Sequence, residues 1–211
     1  MLYLRNMEKI LRSSILAGIA IGLAGFGFLA CKAQGSYGAV VGIIVFCFGL
    51  LTVVEYGLKL FTGTAGFISW KEIPQLLVIL AGNIIGCFLV SLLARISPLG
   101  IVEEAQTVLA SRLATGALQC GALAIGCGFM MTTAVNFARK GRFLPLLFAV
   151  PLFIVCGFPH SIADAFYYLS VPLQMWQSEW LRILPLYVCI VLGNAIGCNL
   201  YRWIMGRAGV L

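Results

Sequence analysis

The chain has 211 residues, of which 62% are hydrophobic and only 10% are charged, and its formal net charge at pH 7 is +7. Because a water-soluble domain carries about 25% charged residues, this composition excludes a soluble globular protein. The basic residues are spread among several segments and form no stripe interleaved with aromatic residues, so the positive charge does not indicate nucleic-acid binding.

Six uncharged runs follow one another along the chain, with 19, 22, 22, 26, 21 and 19 residues. About 20 apolar residues cross a bilayer as a helix, which satisfies its own backbone polar groups. The sequence therefore predicts an all-α integral membrane protein with six transmembrane helices, in one domain over residues 1–211 with halves at about 1–95 and 108–211. The runs are Ser13–Cys31, Ala33–Val54, Ile73–Ala94, Leu113–Ala138, Phe143–Ala163 and Ile183–Tyr201.

The distribution of Lys and Arg predicts the orientation in the membrane, because these residues collect on cytoplasmic loops. With the N-terminus inside, ten basic residues fall on the inner side and four on the outer side. We therefore expect a multi-pass protein of the cell (inner) membrane with both termini cytoplasmic, and no cleaved signal peptide. The inner set is Arg5, Lys9, Arg12, Lys59, Lys71, Arg139, Lys140, Arg142, Arg202 and Arg207, and the outer set is Lys32, Arg95, Arg112 and Arg182.

The second and fifth spans are predicted to be broken. The second runs into EYGLKLFTGTAGFISW, a glycine-rich segment typical of a loop. The fifth belongs to a stretch of 36 residues, 143–178, in which Asp164 is the only charge besides the titratable His160. A continuous helix of that length would measure about 54 Å against a hydrocarbon core of about 30 Å, and Gly157 with Pro159 provides the break.

A short motif recurs at matching places in the two predicted halves. GNIIGC at Gly82–Cys87 in the third span reappears as GNAIGC at Gly193–Cys198 in the sixth. Three spans per half place the halves in opposite directions across the membrane, which makes an inverted repeat. Paired broken helices in an inverted repeat predict a substrate site near the bilayer midplane.

The chain offers no pattern of an enzyme. Its eight cysteines lie inside or at the ends of apolar runs without a CxxC pair, and one histidine cannot complete a metal site with them. No nucleophile–base pair or phosphate-binding loop is visible. We therefore expect no disulfide, no metal and no cofactor.

Three motifs give the chain a resemblance to the formate/nitrite transporter family. They are LKLFTGT at Leu58–Thr64, GFPHSIADAF at Gly157–Phe166, and LGNAIGC at Leu192–Cys198. This resemblance implies an aquaporin-like protomer of six helices, a homopentamer and a separate pore through each protomer. It also implies small monovalent anions or their acids as substrates, such as formate, nitrite, hydrosulfide, acetate and lactate.

The resemblance also implies roles for individual residues. His160 corresponds to the central pore histidine, and Thr62 lies across the pore from it on the loop of the second helix. Leu60 and Phe61 correspond to the apolar constriction. With an unperturbed pKa of about 6.5, the histidine can carry or lend a proton to an anion, and the hydroxyls of Thr62 and Ser161 can replace lost water contacts.

Three charged residues have a weaker assignment to a pore vestibule. Lys140 or Arg142 corresponds to a basic residue in the loop before the fifth helix. Glu55, near the end of the second span, fits a vestibule residue or a charge that reaches out to the membrane surface, and the sequence leaves both open.

Asp164 departs from the family pattern, which has asparagine at this position. One helical turn separates it from His160 on the same face. An ionised Asp164 would favour the imidazolium form, whereas a protonated one would be a hydrogen-bond partner, and we expect an orienting hydrogen bond. The change keeps open a pore of the same fold for a neutral or cationic solute. A third class, a structural or assembly membrane protein that conducts nothing, stays open independently of this residue.

Overall fold

The structure is a computed structural model that describes residues 2–206, with side chains from Arg5 onward. One residue of the predicted inner basic set, Arg207, lies outside the described residues. Within the described range the secondary structure is helical throughout. The α-helices are α1 Leu2–Lys32, α2 Ser36–Val45, α3 Cys47–Glu55, α4 Phe61–Thr64, α5 Ile73–Ile96, α6 Ile101–Thr115, α7 Ala117–Arg139, α8 Leu144–Val155, α9 Ser161–Ser170 and α10 Leu173–Met205.

Five helical segments of the described chain are long and apolar enough to cross a membrane: Arg5–Lys32, Ser36–Glu55, Trp70–Ile96, Ala117–Arg139 and Leu173–Met205. The second joins α2 and α3, because Phe46 between them keeps a helical backbone. The fifth predicted run is divided between the 12-residue apolar helix α8 and the separate helix α9. A further helix, α6, begins in the link between the predicted halves and extends into the second half, where its last three residues belong to the predicted fourth run. The hydrophobic pattern did not predict this helix.

Glycines allow α1 to pack closely on α5 and α7 on α10. A Cβ atom at Gly18 would lie 2.1 Å from the Asn83 carbonyl oxygen, and one at Gly128 would lie 2.2 Å from the Asn194 carbonyl oxygen. No Cβ fits at such distances, so these contacts require glycine. Close backbone approach through small residues is the usual way in which helices pack inside a membrane.

Two breaks separate α3 from the short helix α4 and α8 from the short helix α9, and both begin with the same backbone motif. Gly57 and Gly157 adopt positive φ angles of 61° and 66° directly after α3 and α8. In each case the glycine N–H and the N–H that follows it donate to carbonyls of the last helical turn, the arrangement of a Schellman motif. The chain then runs extended to Leu60 and to His160, where α4 and α9 begin.

The four basic residues predicted on the outer side lie at one end of the helices, around α6 and α9. Arg95 donates to the carbonyls of Leu169 and Val171. Arg182 donates to the carbonyl of Leu113. The two others, Lys32 and Arg112, line a cavity at this end.

Candidate functional site

The two breaks meet at a direct contact between side chains that are 98 residues apart. Thr62 Oγ1 lies 3.0 Å from His160 Nε2. Both side chains are buried, with Thr62 fully enclosed and His160 3% exposed. The predicted pair is therefore brought together, at the point where α4 and α9 begin.

The histidine is held by its own helix. His160 is the N-cap of α9, and its Nδ1 accepts a hydrogen bond from the Ala163 N–H at 3.2 Å. A neutral imidazole has one N–H, and because Nδ1 is an acceptor here, that hydrogen belongs on Nε2. His160 therefore donates from Nε2 to the Thr62 hydroxyl.

Two buried asparagines fix the two breaks with the same set of bonds. Asn83 accepts from the Phe61 N–H at 2.8 Å, and its amide donates to the carbonyls of Ser14 and Lys59. The first of these bonds satisfies the Phe61 N–H, which the start of α4 leaves without a partner inside the helix.

In the second half, Asn194 accepts from the Ser161 N–H at 2.7 Å and donates to the carbonyls of Ala124 and Pro159. Each asparagine thus bonds the first N–H of the short helix and the carbonyl two residues earlier. The repeated sequence GNxxGC therefore has the same structural role twice.

The cysteines of the two repeated motifs reach across to the opposite break. Cys87 Sγ lies 3.3 Å from the carbonyl oxygen of Ile162 and 3.4 Å from that of Gly18. Cys198 Sγ lies 3.2 Å from the carbonyl oxygen of Thr62 and 3.4 Å from that of Gly128. Each thiol can therefore donate to a carbonyl within its own half or to one beside the Thr62–His160 contact.

A cavity of about 270 Å³ extends from His160 toward the end that carries α6. A buried ion pair lies along its wall, in which Arg112 Nε from α6 is 3.5 Å from Asp164 Oδ1 on α9. The Arg112 side chain is 19% exposed and that of Asp164 is 1% exposed. Arg112 also donates from Nη1 to the Gly157 carbonyl at 2.6 Å, which ties α6 to the break before His160.

The expected orienting hydrogen bond from Asp164 does not reach the imidazole ring, because both ring nitrogens of His160 are engaged, by Thr62 Oγ1 and by the Ala163 N–H. The carboxylate faces Arg112 instead. Sequence reasoning counted Arg112 only as one outer basic residue, since no hydrophobic pattern indicated that α6 folds back over the cavity.

The other predicted site residues divide into two groups. Leu60, Phe61 and Ser161 are buried at the starts of α4 and α9, and the Ser161 hydroxyl has no hydrogen-bond partner among the described residues. Three charged residues are exposed and do not line the cavity beside His160: Lys140, Arg142 and Glu55.

Solved channel structures share this fold. A pentameric formate channel with formate bound has a TM-score of 0.77 at 22% sequence identity, and the match covers 95% of this chain and 96% of that chain. An FNT family ion channel has a TM-score of 0.72 at 21% identity, covering 95% of this chain and 89% of that chain.

Proteins with similar sequences are also transporters by their descriptions. The uncharacterized transporter YrhG of Bacillus subtilis (strain 168) is 26% identical, over 82% of this chain and 74% of the relative. The formate-nitrite transporter of Plasmodium vivax is also 26% identical, over 90% of this chain and 71% of the relative. The profile of the family described as formate/nitrite transporter matches residues 3–205, almost the whole sequence. The chain therefore belongs to the formate/nitrite transporter family.

Proposed function

We propose that this protein is a membrane channel or transporter for small monovalent anions or their conjugate acids, such as formate, nitrite or hydrosulfide. Each protomer has its own pore, and the constriction lies between the Thr62 loop and His160, with Leu60 and Phe61 as its apolar wall. The observation that carries this proposal is the buried Thr62–His160 contact, which joins two interrupted helices at the inner end of a cavity.

The contact indicates how the constriction handles charge. An ion at mid-membrane depth costs at least ~2.5–3.5 kcal/mol, so a passing anion needs donors or a proton. The neutral His160 offers its Nε2–H to a substrate oxygen that displaces the Thr62 hydroxyl. A proton on Nδ1 would oppose the Ala163 N–H, so this geometry favours a neutral hydrogen-bond donor over a proton carrier.

The architecture that accompanies this function is six membrane segments in an inverted repeat of three plus three. The matched bonds of Asn83 and Asn194, and of Cys87 and Cys198, support the repeat. We infer a homopentamer from the likeness to the pentameric formate channel. Both termini lie on the cytoplasmic side of the cell membrane, so that the cavity beside Arg112 opens outward.

Flux measurements in proteoliposomes test the proposal. Purified protein should pass formate, nitrite and hydrosulfide, with higher rates at lower pH and with loss of flux in His160→Ala. If the protein is verified to be a folded oligomer and the liposomes show no flux of any solute tested, the protein conducts nothing and the proposal is wrong.

A second candidate function is a pore of the same fold for a neutral or cationic solute. The observation that favours it is the aspartate at a family asparagine position, whose buried side chain borders the cavity beside His160. Water, urea or ammonia flux without anion flux would support this function. The nearby Arg112 argues against cations, because it balances the aspartate charge.

A further inference from the structure

An apolar groove lies on the side of the protein between α5 and α10, at the end of the helices opposite to α6. It has a volume of about 340 Å³. Its rims carry exposed apolar side chains, among them Leu77 on α5 and Leu192 on α10. Its floor includes Phe61 and Ala65, which are buried at the start and the end of α4. The groove therefore leads from the membrane-facing surface to a residue of the proposed constriction.

The groove follows from a difference in length between the two short helices. Asn83 and Asn194 bond the starts of α4 and α9 in the same way, but α4 has four residues and α9 has ten. The longer helix α9 packs against both α5 and α10. After α4 the chain continues through residues 65–69 without regular helix, and the space between α5 and α10 stays open at this end.

Aromatic and basic side chains surround the end of the groove. Trp70 and Trp203 line it there and are exposed, as is typical of tryptophan at the level of the lipid headgroups. Lys71, next to Trp70, is exposed, and Arg202 lines the groove with a half-buried side chain. An anionic group at this end would therefore meet two cations.

Little negative charge opposes these cations. Arg202 uses two of its five N–H groups for bonds within the described chain. The one acidic residue in the adjoining segment 65–73 is Glu72, whose carboxylate already accepts from the Ser69 N–H and hydroxyl. Because the guanidinium matches the geometry of phosphate oxygens, this end of the groove suits a phosphate group.

We propose that the groove binds one anionic glycerophospholipid, with an acyl chain between α5 and α10 and its phosphate beside Lys71 and Arg202. Such a molecule is apolar along its length and anionic at one end, as the groove requires. A second copy of the chain fits less well, since the same end of that copy carries the basic residues predicted on the inner side and would bring like charges together.

The bound acyl chain would affect the constriction through α4. It would contact Phe61, whose neighbour Thr62 contacts His160. Filling the groove therefore stabilises the position of α4 and supports transport. This consequence rests on the proposed function, whereas the binding of the lipid does not.

Native mass spectrometry of protein extracted from vesicles of phosphatidylcholine and phosphatidylglycerol tests the binding. The unaltered protein should retain one phosphatidylglycerol per protomer. Ala195→Phe places a ring in the groove and should abolish this retention. The control Val188→Phe adds the same ring on the exposed surface of α10, about two turns away and outside the groove, and should leave retention unchanged.

Equal retention by the two phenylalanine variants would overturn the proposal, because the lipid would then lie elsewhere. Absence of retained lipid from the unaltered protein would overturn it as well. If in addition the oligomer dissociates in Ala195→Phe but not in Val188→Phe, a second copy of the chain occupies the groove.

Lys71→Gln tests the headgroup and leaves the groove unchanged, so it also serves if Ala195→Phe does not fold. Loss of one cation near the membrane surface should weaken phosphatidylglycerol binding about fivefold, with no change for phosphatidylcholine. Equal binding of the two lipids by the unaltered protein would overturn the anionic site.

Formate uptake tests the effect on the constriction. The unaltered protein and Val188→Phe should lose flux when phosphatidylglycerol is omitted from the liposomes, and Ala195→Phe should have the same flux in both membranes. Equal lipid dependence in all three would overturn the link between the groove and transport. If none of them moves formate in either membrane, the proposed function fails, and the binding measurements still decide whether the groove holds the lipid.

Discussion

The Cys198 thiol on α10 lies 3.2 Å from the carbonyl oxygen of Thr62 and can donate a hydrogen bond to it. Thr62 is the residue whose side chain contacts His160. The counterpart on α5, Cys87, has the same relation to Ile162, two residues after the histidine. Each repeated motif therefore supports the break of the other half. A thiol is a weak donor, but a small displacement of this thiol would shift the backbone of the residue that contacts His160.

We expect Cys198→Ala to slow formate transport about threefold and to lower stability by about 1 kcal/mol, because a hydrogen bond is lost and a small cavity opens. Cys198→Ser keeps a donor and should retain most of both properties. Uptake rate and thermal unfolding in detergent measure the two effects. Equal damage in the serine and alanine variants would mean that side-chain volume, and not the donor, is what matters.

Thr62→Val should reduce transport about tenfold, which corresponds to ~1.4 kcal/mol. Valine has nearly the shape of threonine but cannot accept the hydrogen of His160 Nε2. Thr62→Ser keeps the hydroxyl and is expected to transport at close to the original rate. Formate uptake at one fixed pH is compared between the unaltered protein and the two variants. If the valine variant transports at the original rate, the Thr62 hydroxyl is not needed for transport.

Asn194→Ala and Asn83→Ala should destabilise the protein to a similar degree. Each change leaves a buried backbone N–H without an acceptor, at Ser161 or at Phe61, and such a group costs about 1–3 kcal/mol. The exposed Gln34, whose amide bonds only a carbonyl of its own helix region, provides the control Gln34→Ala. Unfolding temperatures in detergent should fall clearly for the two asparagine variants only, and a large difference between them would argue against equivalent roles.

Gly128→Ala should prevent the close packing of α7 on α10. The new Cβ would lie 2.2 Å from the Asn194 carbonyl oxygen, and overpacking of this kind costs about 1–3 kcal/mol or more. Gly63→Ala is the comparison, since its nearest neighbour would be Val135 Cγ2 at 3.5 Å, an ordinary contact. The yield of monodisperse protein on size-exclusion chromatography should fall for Gly128→Ala alone.

Arg112→Gln should be more destabilising than Asp164→Asn. The first leaves a carboxylate that is 1% exposed without its partner, whereas the second leaves a guanidinium that is 19% exposed and still bonded to Gly157. Breaking a buried pair costs about 3–5 kcal/mol, and the partial exposure of Arg112 reduces its share. The double variant should recover stability relative to Arg112→Gln, and thermal unfolding of the three variants gives the ranking.

The sequence was informative where local chemistry determines structure. Gly57 and Gly157 end their helices in positive-φ conformations that only glycine adopts easily. The repeated GNxxGC indicated an equivalence that the bonds of Asn83 and Asn194 display. The placing of Thr62 opposite His160 came from the family resemblance, because the two lie 98 residues apart and no periodicity connects them.

What could not be predicted depends on the path of the connecting helix. Helix α6 contains no long apolar run, so the hydropathy pattern did not predict it. In the structure this helix lines the cavity and brings Arg112 close to Asp164. The expected Asp164–His160 bond relied on their spacing along one helix. Spacing predicts a shared face, but it cannot predict that the carboxylate also lies beside a charged residue of another helix, Arg112.

The hydrogen bonds from α10 to the first break have a consequence for the order in which the protein folds during synthesis. The backbone carbonyls of Thr62, Ala65 and Ile68 accept from Cys198, Asn199 and Arg202, respectively. This segment is therefore stabilised by residues that are synthesised more than 130 positions later. Until α10 is synthesised, these three carbonyls lack the donors that bond them in the folded protein. Nascent chains halted before residue 198 should accordingly be open to proteases or chaperones at this loop, even when their first helices are already inserted.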